Sequence, residues 1–299
     1  MLLHRPGHAK VNFKVSGTFG VQIEEISESR NHSAFALDRA LLGSDWNRNS
    51  WQSKLLLISR TAIRFTVSTW IVIFPMCPGW FSSTVEPGTK PFSRSPYGRR
   101  DPKQTCHDGD PLLQYLQETK LPVSLASINY RLSPAVQHPA HQEDVVAAID
   151  FLKQQYGMKE FVLVGHSAGA CLSFQTCHVK DCKGVIGADG IYDIEDLAKE
   201  YPEYEYFIVD AFGNNELVWR EASPSNWRYD STYLVVQLVQ STEDELLSPR
   251  QTELMQSRLK KTPVKLREIA WIKGSHNASI TTPEFFKIVH DFITQLICS

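Results

Sequence analysis

Ser167 stands at the centre of Gly165-His166-Ser167-Ala168-Gly169, directly after four apolar residues, Phe161-Val162-Leu163-Val164. A serine hydroxyl is a poor nucleophile and needs a base beside it and a strained turn to present it. G-x-S-x-G between a strand and a helix supplies that turn. Gly165 and Gly169 lie two residues either side of Ser167, where side chains would collide with the crossing strand and helix. An ordinary Gly/Ser turn has the same letters. The apolar run before this one and the small, helix-compatible residues after it favour a nucleophile elbow.

An elbow demands an acid and then a histidine later in the chain, each on a loop after a strand. Thr232 to Gln240 is apolar and β-branched enough for a buried parallel strand, and it runs into Ser241-Thr242-Glu243-Asp244-Glu245. Asp244 is the expected acid. The bland reading is that the three acids only decorate the start of the next helix, Arg250 to Lys261. Asp189, after the strand that follows the elbow, is the rival acid. Val264 to Ala270 alternates as a strand, and His276 sits on the loop beyond it, after Gly274. The chain has ten histidines, so position singles this one out. His276 would take the proton of Ser167 and pass it to the leaving group, while Asp244 holds the imidazole and stabilises the imidazolium. The backbone N–H of Ala168 is expected to be one oxyanion donor.

These residues need a scaffold that brings several strand ends together. Leu112 to Glu118 reads as helix, Leu121 to Asn129 as strand, His141 to Tyr156 as helix, Gly184 to Ala188 as strand and Pro283 to Ile297 as helix. The alternation predicts an α/β-hydrolase fold, a mostly parallel sheet with helices on both faces. Between Tyr192 and Trp227 the chain is rich in rings and acids, where such a fold inserts a cap. The rings are either a lid over an aryl pocket or simply core. Tyr130-Arg131 either braces the loop below the site or binds a substrate carboxylate.

At 299 residues and 42% hydrophobic the chain can bury one substantial core, and its net charge of −2 offers no basic face to nucleic acid or anionic membrane. The longest early apolar run, Trp70 to Phe81, is too short and proline-broken to span a bilayer. The opening Met-Leu-Leu-His-Arg-Pro-Gly-His lacks an apolar signal core, so no secretory signal is expected. Six cysteines form no recognisable disulfide framework, and Cys171, Cys177, Cys182 and His178 have the wrong spacing for structural zinc. Ordinary thiols and no metal are expected.

From about Leu121 onward the chain resembles the fungal kynurenine formamidases (arylformamidases). The residues that carry this are Ile128-Asn129-Tyr130-Arg131-Leu132-Ser133-Pro134, the elbow, Asp189-Gly190-Ile191-Tyr192-Asp193-Ile194, Glu200-Tyr201-Pro202-Glu203-Tyr204, Asp244 to Thr252 and Gly274-Ser275-His276-Asn277. The resemblance implies hydrolysis of N-formyl-L-kynurenine to L-kynurenine and formate in tryptophan degradation towards NAD. It also implies a cytoplasmic enzyme without metal or organic cofactor, often a homodimer. The family's H-G-G-x-W, whose glycine amides complete the oxyanion hole, has no counterpart here. Trp70 to Phe74 followed by Pro75 to Trp80, or Ser95 to Pro102, stands where that loop belongs. The expected organisation is a diverged or poorly ordered region at 1–110 and a catalytic core at 111–299 with a cap at 192–227. The early region fits a mistranslated or unspliced segment, or a diverged hydrolase. Two other functions fit as well: a general short-chain carboxylesterase, and a hydrolase-fold protein impaired by the missing loop.

Overall fold

The structure, a computed structural model, describes residues 109–128 and 130–298, together with three earlier strands traced by their backbone. Nine described strands are β1 (Phe13–Gly17), β2 (Gln22–Ile23), β3 (Thr69–Phe74), β4 (Ser124–Ile128), β5 (Glu160–His166), β6 (Cys182–Ala188), β7 (Val235–Ser241), β8 (Lys265–Leu266) and β9 (Ala270–Ile272). The described helices are α1 (Asp110–Glu118), α2 (Ala140–Tyr156), α3 (Ala168–Thr176), α4 (Ile194–Glu200), α5 (Glu205–Phe212), α6 (Glu216–Ala222), α7 (Arg250–Leu259) and α8 (Pro283–Cys298).

The strands form one sheet in the order β2-β1-β4-β3-β5-β6-β7-β8, with β9 also pairing with β7. β1 pairs antiparallel with both β2 and β4; the pairs among β3 to β9 are parallel. Side chains of β5 alternate between faces, as strand geometry requires. Phe161 and Leu163 join one core with Ala148, Ile149 and Leu152 of α2 and Phe174 of α3. Val162 and Val164 join the other, with Leu113 and Leu116 of α1 and Val289 and Phe292 of α8. Each such fully buried side chain contributes about 1.5–3 kcal/mol. Two-sided burial explains why these strands read as continuous apolar runs.

The parallel strands end on one edge of the sheet, where open α/β sheets bind ligands. β5, β6, β7 and β9 are followed there by Ser167, Asp189, Asp244 and His276. β3, at the expected Trp70 to Phe74, lies beside β5 with Phe74 opposite Gly165. Pro75 to Trp80, one candidate for the second oxyanion loop, lies outside the described residues, as does Ser95 to Pro102.

One expected strand differs. Val264 to Ala270 is not continuous but divides into β8 and β9, both on β7. Val236 pairs with Leu266 and Val239 with Ala270, so this strand uses four steps where β7 uses three. The extra residue interrupts the ladder, as a bulge does. Gln237 Nε2 takes up the Glu268 carbonyl at 2.7 Å instead.

Between β6 and β7 lie α4, α5 and α6. Their apolar residues, including Phe207, Phe212 and Trp219, form a cluster that also takes in Ala168 and Cys171 of α3 and Leu247. Those rings are therefore the core of their own segment, packed against the first turn of the helix that follows Ser167. Among the described residues no helix is long and apolar enough to cross a membrane.

Candidate active site

Ser167 joins β5 to α3 at φ 54°, ψ −120°, a left-handed conformation costly for a residue with a side chain. Its N–H donates to Ala188 O at 3.0 Å, and its carbonyl accepts from Ala170 N at 3.1 Å and Ile191 N at 3.3 Å. The turn is thus tied to β6 as well as to its own helix. A Cβ on Gly165 would lie 2.2 Å from Gly169 O and 2.4 Å from Ser173 Oγ, so only glycine lets the strand pass this close to the helix. Ala168 opens α3, and first-turn amides have no acceptor within the helix. The Ser167 hydroxyl is buried without a hydrogen-bond partner among the described residues.

His276 Nδ1 lies 2.7 Å from Asp244 Oδ2, with the side chains 0% and 1% exposed. A carboxylate only accepts, so Nδ1 donates and Nε2 is left with its lone pair, the tautomer a general base requires. The other carboxylate oxygen, Oδ1, accepts from Leu246 N at 2.8 Å and Leu247 N at 2.9 Å. The flanking acids hold the base loop rather than the imidazole. Glu243 Oε2 accepts from Gly274 N at 3.0 Å, and Glu245 Oε2 from His276 N at 2.9 Å. Each of the three adjacent acids therefore has its own partner on one loop, and only Asp244 reaches the ring.

Asp189 does not compete for the imidazole. It is fully buried at φ 43°, with Oδ1 accepting from Ser241 N and Oδ2 from Ser279 Oγ, both at 2.6 Å. Burial pushes its carboxyl up to about 6. His166 packs its ring against His276 at 4.5 Å between centroids. Burial, and then the neighbouring His276, hold the His166 imidazole well below its ordinary range, so it is neutral at pH 7. His166, Asp189 and His276 offer three ligand atoms within 4.8 Å of one another. Both Asp189 oxygens and His276 Nδ1 are engaged in hydrogen bonds within the site.

Two sequence blocks some 40 residues apart meet behind the acid loop. Tyr201 OH accepts from Ser248 N at 2.9 Å, Tyr204 OH donates to Leu246 O at 3.0 Å, and Ser248 Oγ donates to Glu200 Oε1 at 2.5 Å. The two tyrosine rings stack at 4.9 Å. Gln251 Oε1 accepts from the N–H groups of Tyr192 and Asp193 at 2.9 and 2.8 Å. The Glu-Tyr-Pro-Glu-Tyr block is thus a strut for the loop that bears Asp244, and the Asp-Gly-Ile-Tyr block holds the start of the helix that follows it.

A family model described as the alpha/beta hydrolase fold matches residues 110–276. The kynurenine formamidase of Meyerozyma guilliermondii is 38% identical over 210 residues, 65% of this chain and 80% of that one. That of Saccharomyces cerevisiae is 30% identical over 219 residues, 64% and 84% of the two chains. The chain belongs to the α/β-hydrolase superfamily, in the family of the fungal kynurenine formamidases. Solved structures share the fold at lower identity. A truncated carbohydrate esterase from gut microbiota has a TM-score of 0.57 at 19% identity over 77% of this chain and 85% of that one. Inhibited esterase B from Lactobacillus rhamnosis has a TM-score of 0.59 at 15% identity over 79% and 78%.

In this family member Arg131 is a brace. Its Nε lies 2.8 Å from Asp144 Oδ2 and its Nη2 2.9 Å from Oδ1, and its N–H also donates to Oδ2. Beside Ala168 a small cavity is lined by Tyr130, His138, His141, Gln175 and Phe212. Burial lowers both of these histidines, His141 to about 4, so the lining is neutral at pH 7. Cys171, Cys177 and Cys182 are free and buried, and burial pushes the first two thiols up to about 12. They are not reactive thiolates. Glu243, Glu245, Ser241 and Ser279 had no sequence signal as site residues, beyond the clustering of acids around Asp244.

Proposed function

We propose that this chain is a serine hydrolase that cleaves the formamide of N-formyl-L-kynurenine, releasing L-kynurenine and formate. Ser167 is the nucleophile, His276 the general base and acid, Asp244 its partner, and the Ala168 N–H one oxyanion donor. The observation that carries this reading is the buried Asp244–His276 pair at 2.7 Å, on the strand edge that carries the elbow, in a chain 38% identical to a kynurenine formamidase.

Ser167 Oγ attacks the formyl carbon while His276 Nε2 takes its proton. The developing oxyanion lies against the first amides of α3, whose N-terminal end favours negative charge. Collapse breaks the C–N bond, and the imidazolium returns the proton to the departing arylamine nitrogen. Water, deprotonated by the same imidazole, then cleaves the formyl ester to formate and free Ser167. The helices between β6 and β7 are taken as the cap at 192–227, with their rings as its core. The reading includes a cytoplasmic enzyme with no metal or organic cofactor, a homodimeric partner of its own kind, and a catalytic core at 111–299 after a diverged region at 1–110.

The test is kynurenine release from N-formyl-L-kynurenine by the full chain, with Ser167→Ala alongside. Expected is turnover that falls by about 10⁴-fold or more in the variant. Residual activity near wild type would sink the assignment of Ser167. A higher kcat/KM for p-nitrophenyl acetate than for the formamide would make the chain a general carboxylesterase. No turnover by folded wild type would point to loss of the second oxyanion donor, which is worth about 10²–10³ in rate.

A further inference from the structure

We propose that Asp189 is a positioning carboxylate for the triad: it binds together the loops that carry Asp244 and His276 and sets a second negative charge behind the imidazole. The inference rests on the hydrolase reading above. Its geometry is specific to that task. Asp189 leaves β6 with its N–H on Val239 O at 3.0 Å, which anchors it to β7. Oδ1 then holds the N–H of Ser241, three residues before Asp244. Oδ2 holds the hydroxyl of Ser279, three residues after His276, and that Oγ also lies 3.2 Å from His276 O. Ser241 Oγ completes the frame by donating to Gly274 O at 2.5 Å. One buried side chain thus fixes both loops from below, while Glu243 and Glu245 fix them to each other.

A buried carboxylate is costly unless its oxygens are satisfied and a positive charge is near. Both oxygens are satisfied here. The groups facing His276 are Asp244 and Glu245 on the acid loop, His166 on the elbow and Asp189 at the end of β6. His166 is neutral, and its Nε2 stands 4.0 Å from Asp189 Oδ2. The other facing groups are acids or the neutral His166, so the imidazolium formed as Ser167 attacks is the positive charge that Asp189 serves. Burial places its own titration at about 6, so the carboxylate is ionised where a histidine-dependent hydrolase works and is lost on the acid side.

The experiment measures the rate of Ser167 labelling by a fluorophosphonate against pH, which needs the triad but no formamide. Wild type, Asp189→Asn, Ser279→Ala and the double variant are compared. Asp189→Asn is expected to slow labelling by about tenfold or more through misplacement of the base. Its acidic limb should move roughly one pH unit lower, because the imidazolium loses a nearby opposite charge. Ser279→Ala, the milder change, keeps the inference testable if Asp189→Asn does not fold. It should slow labelling while the chain stays folded, and the double variant should be no slower than Asp189→Asn alone. A folded Asp189→Asn with an unmoved limb overturns the proposal, even if slower, and so does wild-type labelling by Ser279→Ala. Wild type that does not label at all overturns the hydrolase reading and this inference with it. Wild type that labels but leaves N-formyl-L-kynurenine intact overturns only the substrate.

Discussion

The elbow and the paired acid and base loops are held in place by different means. The elbow is made mostly within some ten consecutive residues, with backbone ties to Ala188 and Ile191 at the end of β6. Its strained Ser167 is locked by backbone hydrogen bonds and by the contact between Gly165 and Gly169 O, which no side chain could share. The loops bearing Asp244 and His276 are 32 residues apart and meet through side chains that hold each other's backbone: Glu243 on Gly274, Glu245 on His276, Ser241 on Gly274. A steric lock should fail as a loss of stability. A hydrogen-bonded frame should fail as a loss of rate, because the loops keep their core anchors while the imidazole drifts.

Three substitutions sharpen or break this contrast. The largest effect is expected for Asp244→Asn. It should lower kcat by about 10³–10⁴-fold, by stabilising the wrong imidazole tautomer, with the thermal midpoint near that of wild type. A loss below tenfold would show that another acid orients His276. Next, Gly165→Ala should cost about 3 kcal/mol or more, read as a lower urea midpoint, since its methyl group meets backbone that cannot rotate away. An unchanged midpoint would mean the strand and helix can separate, and the elbow is not a steric lock. The smallest is Glu245→Gln, which keeps an acceptor for His276 N–H but removes the charge. A loss of about 1 kcal/mol, roughly fivefold in kcat/KM with unchanged stability, is expected. An equal fall in stability would place the loops in the same class as the elbow.

The legible parts of this molecule are those encoded by neighbours in the chain. The elbow, the helices α1, α2 and α8 and the strands β5 and β6 follow from apolar periodicity and from glycine spacing, and Asp244 and His276 follow from chain order once the elbow is recognised. The strand expected over Val264 to Ala270 was not legible as two pieces, because its break depends on the register against β7 and on the reach of Gln237. The choice between lid and core for Phe207, Phe212 and Trp219 also lay outside the sequence, since it depends on which helices pack together.

The sequence by itself determined the parallel α/β architecture, the family, and a G-x-S-x-G turn followed in chain order by Asp244 and His276. Local propensity and two-sided burial write these into adjacent residues. Only the tertiary structure decided the work of the four acids: Asp244 takes the imidazole, Glu243 and Glu245 take backbone N–H groups, and Asp189 takes Ser241 and Ser279. Their chemistry is the same carboxylate in each case. What separates them is a distance of a few ångströms to a donor far away in the chain, which is fixed only when the strand ends come together.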